Sequence, residues 1–185
     1  MFKTGITQRS QPRGLSMVDR ELFRTICTDA FRFLDEYKLR FIFERAEPWG
    51  YEIRYANKFV GIIVISELRD FYPYVQIAKL RSGEFPPKEG KIRLETILHS
   101  FDLDDLVGIR SKESLIPPLE RKESFNAQLM ESQLRHQARN LQQFAGDALS
   151  ADFSVFSNLD KLVKNRAREA AMRKWGDKAS QYGWS

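Results

Sequence analysis

The chain has 185 residues, of which 42% are apolar and 12% aromatic. That suits one sizeable core, arranged as one domain or one domain with a helical extension. No run of about eighteen apolar residues occurs, which argues against a membrane-spanning helix. The start lacks the basic, apolar and small-residue order of a secretory leader. A single cysteine, Cys27, excludes an internal disulfide and leads us to expect a reducing, cytoplasmic setting.

The net charge of +5 belongs to the ends. Residues 1–14 carry +3 and residues 161–185 carry +5, so residues 15–160 hold −3. The overall basic balance therefore describes the termini, and the expected globular body is mildly acidic.

Four units are expected: a disordered segment 1–15, an α+β sheet domain 16–120, a helical extension 121–178 packed on or projecting from it, and a flexible tail 179–185. Ser16 and Asp19 have the spacing of a helix cap. Behind them, Leu22, Phe23, Ile26, Ala30, Phe33, Leu34 and Tyr37 recur at three- and four-residue steps, predicting one amphipathic helix over 17–38. Cys27, inside it, reads as a small apolar core residue.

Four strands follow. Phe41–Arg45 is the first, and Pro48-Trp49-Gly50 closes it. Tyr51–Tyr55 alternates, with Tyr51, Ile53 and Tyr55 on one face. Asn57-Lys58 is a hairpin turn, justified by the tolerance of Asn for positive φ. Phe59–Ile65 is apolar on both faces, which predicts a central strand covered on each side. Tyr74–Leu80 is the fourth. Loops this short favour antiparallel neighbours, so the expected fold is an α+β domain: an N-terminal helix on a four-stranded antiparallel meander, then a mostly helical C-terminal third.

Beyond the sheet, a short helix is predicted over Leu94–Phe101, ending before Asp102-Leu103-Asp104-Asp105. From Arg121 to Leu149 apolar residues recur helically, giving a helix of about 40 Å if unbroken, with Gly146 as its bend or end. That length leaves a homodimer through this helix open. A last helix runs from Phe153 or Asn158 to Trp175, with Ser157 and Asp160 as its cap.

Chemistry is sparse. His99 lies near Asp102, Asp104 and Asp105, a set from which a metal site can be drawn. It lacks the glycine turn and distal glutamate of a calcium loop, and capping is the plainer use of such residues. His136 falls inside the long helix. No Gly-x-Ser-x-Gly elbow, Walker loop, Rossmann glycine set or His-Glu-x-x-His pair is present, and no cofactor is implied.

Two surfaces remain. Lys161, Lys164, Arg166, Arg168 and Arg173 line the last helix, with Trp175, Tyr182 and Trp184 nearby, as a nucleic-acid surface requires. A solvated helix face explains the same cations. Trp49, Phe71 and Tyr72, set in turns beside Glu47 and Asp70, form an anchor-and-charge patch for a protein partner. Folding back over the sheet ends is the alternative.

Phe31-Arg32-Phe33-Leu34-Asp35, Ile53-Arg54-Tyr55-Ala56-Asn57, Tyr74-Val75-Gln76-Ile77 and the run Ala148–Phe156 occur in an order that resembles the polymorphic-toxin immunity proteins, small bacterial domains found beside secreted or contact-delivered toxins. The resemblance spans roughly residues 20–165. It implies a non-enzymatic, stoichiometric cytoplasmic binder that blocks a toxin domain, with no single residue role carried over. Inhibitors of nucleic-acid-cutting toxins are often strongly acidic. A body at −3 points away from such a target.

Overall fold

The computed structural model describes residues 17–47, 50–67, 72–87, 92–111 and 127–182. Residues 1–15, Trp49, Asp70, Phe71 and Trp184 lie outside them, as do the side chains of Asp19, Glu47 and Tyr182.

The order of elements is α1 (Met17–Ala30), a 3-10 helix (Arg32–Tyr37), then strands β1 (Arg40–Glu47), β2 (Gly50–Ala56), β3 (Val60–Glu67), β4 (Pro73–Lys79) and β5 (Ser100–Asp102). Helices α2 (Leu103–Arg110), α3 (Ala127–Phe144), α4 (Gly146–Leu149) and α5 (Phe156–Trp175) follow, with a closing 3-10 helix over Gly176–Tyr182. The expected α+β architecture is present, with the helix first, a meander next and helices last. The sheet has five strands in the order β1-β2-β3-β4-β5, each neighbour antiparallel.

The first predicted helix is two pieces. At Phe31 the backbone leaves α geometry, and the chain tightens into the 3-10 turn that Lys38 ends in the left-handed region. Leu34 is thereby buried in the core, and the carbonyl of Tyr37 accepts from Asn57 Nδ2. Asn57 does shape the β2–β3 turn, but not through positive φ. Its Oδ1 accepts from the backbone N–H groups of Phe59 and Val60, both at 2.8 Å, while the described non-glycine residues at positive φ are Lys38, Ser82 and Ala151. The side chain acts as a surrogate turn carbonyl.

The helix expected over 94–101 is absent: a turn and irregular chain lead into the fifth strand, which begins at Ser100. Phe101 pairs with Ile77 and Ser100 with Ala78 along the edge of β4. The acidic run that was to end a helix starts one instead: Asp104 and Asp105 occupy the first turn of α2, where carboxylates meet the positive end of the macrodipole. The long helix breaks at Ala145, and Gly146 opens α4; among the described residues α3 has 18, and residues 121–126 lie outside them. Helix α5 begins at Phe156 after Val155, without the cap expected of Ser157 and Asp160. Residues 179–182, expected in a flexible tail, belong to the closing 3-10 helix, where Ala179 is buried against Ala171.

One face of the sheet builds the main core. Tyr51, Ile53 and Tyr55 from β2, Val60, Ile62 and Val64 from β3, and Val75 and Ile77 from β4 meet Phe23, Ile26 and Cys27 of α1 and Met130, Leu134, Ala138 and Leu141 of α3. Cys27 is fully buried, and burial pushes its thiol pKa well up, so it stays protonated as a packing residue. The apolar stripe of α3 is thus used within the chain. Its outward row, including Gln128, Ser132, Arg139 and Gln142, is polar and exposed. No described helix is long and apolar enough to cross a membrane.

Candidate binding groove on the open face of the sheet

Side chains alternate along each strand, so the residues between those core positions point the other way. The strand registers align them into rows across the sheet. Phe43 lies opposite Arg54, Arg54 opposite Ile63, Ile63 opposite Gln76, and Gln76 opposite Asp102. The adjacent row is Arg45, Glu52, Ile65 and Tyr74. No described helix lies across these rows. Glu52, Arg54, Ile63, Ile65, Gln76 and Asp102 of these rows floor a groove of about 580 Å³, walled by Phe85, Pro86, Pro87, Ile92 and Leu98 on the connection from β4 to β5, and by Val163 and Arg166 of α5. Helix α5 reaches this position by passing the β5 edge. Its start packs into the main core through Phe156, 4.8 Å from the Phe101 ring, and its middle turns lean over the groove.

The central strand is therefore covered fully on one face and, on the other, only at its start, where Phe85 sits over Gly61. Val60, Ile62 and Val64 are buried, whereas Ile63 and Ile65 are half-buried and line the groove. The expectation of cover on both sides fails because the chain after β4 walls this face instead of crossing it. Gly61 explains how the wall seats itself. A Cβ there would overlap the Phe85 ring, so glycine lets Phe85 descend onto the sheet beside Ala56, Ala78 and Leu80.

The charges in the groove are organised. Glu52 is 1% exposed, and Arg54 Nε donates to its Oε1 while Arg45 lies 3.7 Å from its Oε2. The Arg54 guanidinium also sits between two aromatic rings, 5.3 Å from the centroid of Phe43 and 4.8 Å from that of Phe85. Gln76 Nε2 donates to Asp102 at 2.9 Å, and Arg166 pairs with Asp105. Desolvation among these walls raises the Asp102 carboxyl above its ordinary range, against the Gln76 hydrogen bond, which lowers it. Burial does the same to Asp104, which accepts from Gln137 Nε2 at 3.2 Å.

The residues singled out from sequence are distributed differently. Tyr72 is 4% exposed, and its hydroxyl accepts from Gln137 Nε2 at 2.7 Å. Burial beside the Asp104 charge raises it to about 12. It folds back to complete the core, as the alternative reading held, and is no exposed anchor. The backbone of Glu47 ends β1 opposite Gly50.

The proposed metal set does not converge. His99 Nε2 lies 3.1 Å from Arg81, while Asp102, Asp104 and Asp105 each face a different partner. No group of three or more potential ligands is arranged for a metal among the described residues. His136 is half-buried beside Asn140.

On α5, Lys164 pairs with Asp160 at 2.9 Å and Arg166 with Asp105. Lys161, Arg168 and Arg173 stay exposed. At 3.6 residues per turn, Lys161, Lys164 and Arg168 share one face, and Arg166 and Arg173 another. The cations thus form two short rows, and of these residues Arg166 lines the groove.

Sequence reasoning missed the groove because Glu52, Arg54 and Gln76 read as the solvated alternates of amphipathic strands. The available signal was β3, whose apolar second face demands something opposite it.

Compared with known protein families, curated proteins and solved structures, the chain matches none of them.

Proposed function

We propose that this chain works by binding a protein partner in the cytoplasm on the open face of its sheet. Neutralisation of a bacterial toxin by occlusion, the role implied by its resemblance to immunity proteins, is the form we assign to that binding. The observation that carries the reading is the row Arg54, Ile63, Gln76 and Asp102, continuous over four strands on a face that the helices leave open. Apolar floor and satisfied polar groups side by side are the composition of a protein-recognition surface. Arg54 is held by one ion pair and two ring contacts, so little side-chain entropy remains to be lost on association.

The test is co-expression of the full chain with the product of the adjacent gene, followed by size-exclusion chromatography with light scattering. A stoichiometric complex is expected, lost or weakened at least tenfold in Ile65→Gln and in Phe85→Ala, both checked for native circular dichroism. A complex indifferent to both substitutions, or no complex at all, overturns the reading. Low-salt binding to RNA or DNA that vanishes in an Arg168→Ala/Arg173→Ala double variant transfers the function to α5 instead.

A further inference from the structure

Which partner the groove accepts follows from its unpaired charges. Two of its cations are already neutralised from within: Arg54 by Glu52 and Arg166 by Asp105. Two of its carboxylates are not. Glu67 and Asp102 both line the groove, and among the described residues no ion pair joins either to a cation. Among the described residues the hydrogen bond to Asp102 comes from the neutral amide of Gln76, and the Arg166 guanidinium acts on it from beyond ion-pair distance. It precedes α2 at the N-cap position, yet its side chain makes no capping hydrogen bond. The carboxylate is thus directed to the groove rather than to the helix it introduces.

The two carboxylates sit at opposite corners of the floor. Glu67 is four residues along β3 from Ile63, and Asp102 is two strands across from Ile63. At about 3.3 Å per residue and about 4.8 Å per strand, their separation is roughly 16 Å. Ile63 and Ile65 lie between them. An extended peptide covers that span in roughly five residues.

We propose that the groove takes an extended cationic segment of the partner: two Lys or Arg residues roughly five positions apart, with apolar residues between them that settle on Ile63 and Ile65. This rests on the protein-binding reading above and names the partner's chemistry. Salt bridges to Asp102 and Glu67 fix the two ends, and the closed Glu52–Arg54 and Asp105–Arg166 pairs leave an acidic segment no unpaired cation among the described residues that line the groove. An RNA or DNA strand is disfavoured there for the same reason.

Random peptides displayed on phage are panned against the immobilised full chain, and the enriched sequences are synthesised and titrated by fluorescence anisotropy. Enrichment of spaced basic residues flanking apolar ones is expected. Asp102→Asn and Glu67→Gln should each weaken such peptides about tenfold, and Ile65→Gln should weaken them as well. Enriched sequences that are neutral or acidic, yet still lost in Ile65→Gln, overturn the charge inference and leave the groove reading standing. Peptides insensitive to Ile65→Gln and Phe85→Ala, or no enrichment, overturn both.

Discussion

On its helix-covered face the sheet offers Tyr51, Ile53, Tyr55, Val60, Ile62, Val64, Val75 and Ile77, all buried. On its other face the same strands offer Glu52, Arg54, Ile63, Ile65, Tyr74 and Gln76, and β1 adds Phe43 and Arg45. The first set is uniform and closed. The second is mixed, with an ion pair held between aromatic rings and two isoleucines left half-covered. A period of two therefore separates two tasks residue by residue: one face supplies the stability of the fold, and the other spends apolar area on a surface that remains open.

The largest effect expected is on the covered face. Ile53 is fully buried, so Ile53→Ala should cost about 3–4 kcal/mol through lost transfer and a residual cavity. Ile65→Ala, across the sheet in the groove, should cost about 1 kcal/mol, since the side chain is already half in water. Urea denaturation of the two variants measures the contrast directly. Equal losses would mean that the groove face carries as much of the core as the helix face does, and the division of labour collapses.

The ion pair sharpens the same contrast. Arg54→Ala leaves Glu52 buried with only the more distant Arg45 guanidinium beside it, and about 3 kcal/mol of stability should be lost. The double variant Glu52→Leu/Arg54→Met removes both charges and should fold within about 1 kcal/mol of the parent. If the double variant also keeps full partner affinity, the pair is scaffolding. If it folds but binds at least tenfold worse, the pair belongs to the recognition surface. A double variant as unstable as Arg54→Ala alone would show that Glu52 holds the strands by contacts other than its arginines.

Much of the fold was legible in the sequence because it rests on local rules. The amphipathic stripe of α1, the alternation in β2 and the short loops between strands all act within about ten residues, and they dictate a helix followed by an antiparallel meander. What was not legible depends on distant partners. Phe101 reads as the end of a helix until Ile77 offers it an open strand edge. Tyr72 reads as a turn-borne anchor until Gln137, far along the chain, supplies its hydrogen bond. The groove was hidden for the same reason: Arg54, Gln76 and Asp102 come from three strands, and only the registers place them in one row. Gly61 gave no sign in sequence that it makes room for Phe85.

The smallest effect separates the faces by pH. Arg110 of α2 donates to Asp147 of α4 at 2.7 Å, and this hydrogen bond holds the Asp147 carboxyl below its ordinary range. Such a pair contributes stability above the unfolded carboxylate value, about 3.9, and loses it as pH falls through the lower folded value. At this exposure the pair is worth at most about 1 kcal/mol. Asp102 has the opposite sign. Desolvation raises it, so its ionised form opposes folding, and stability is gained as pH falls through the raised folded value toward about 3.9; because Asp102 is an exposed residue, solvent keeps this gain small. Urea midpoints followed from neutral pH downward should therefore rise slightly before they fall. Asp147→Asn should flatten the fall, and Asp102→Asn should reduce the rise, leaving the share that Asp104 supplies, while lifting the neutral-pH midpoint. An acid limb unchanged in Asp147→Asn would break the assignment of that pair. A midpoint lowered by Asp102→Asn would make the carboxylate a structural support. The expected gain in stability, set beside a loss of cationic-peptide affinity in the same variant, marks Asp102 as a residue that opposes folding at neutral pH and serves the open face.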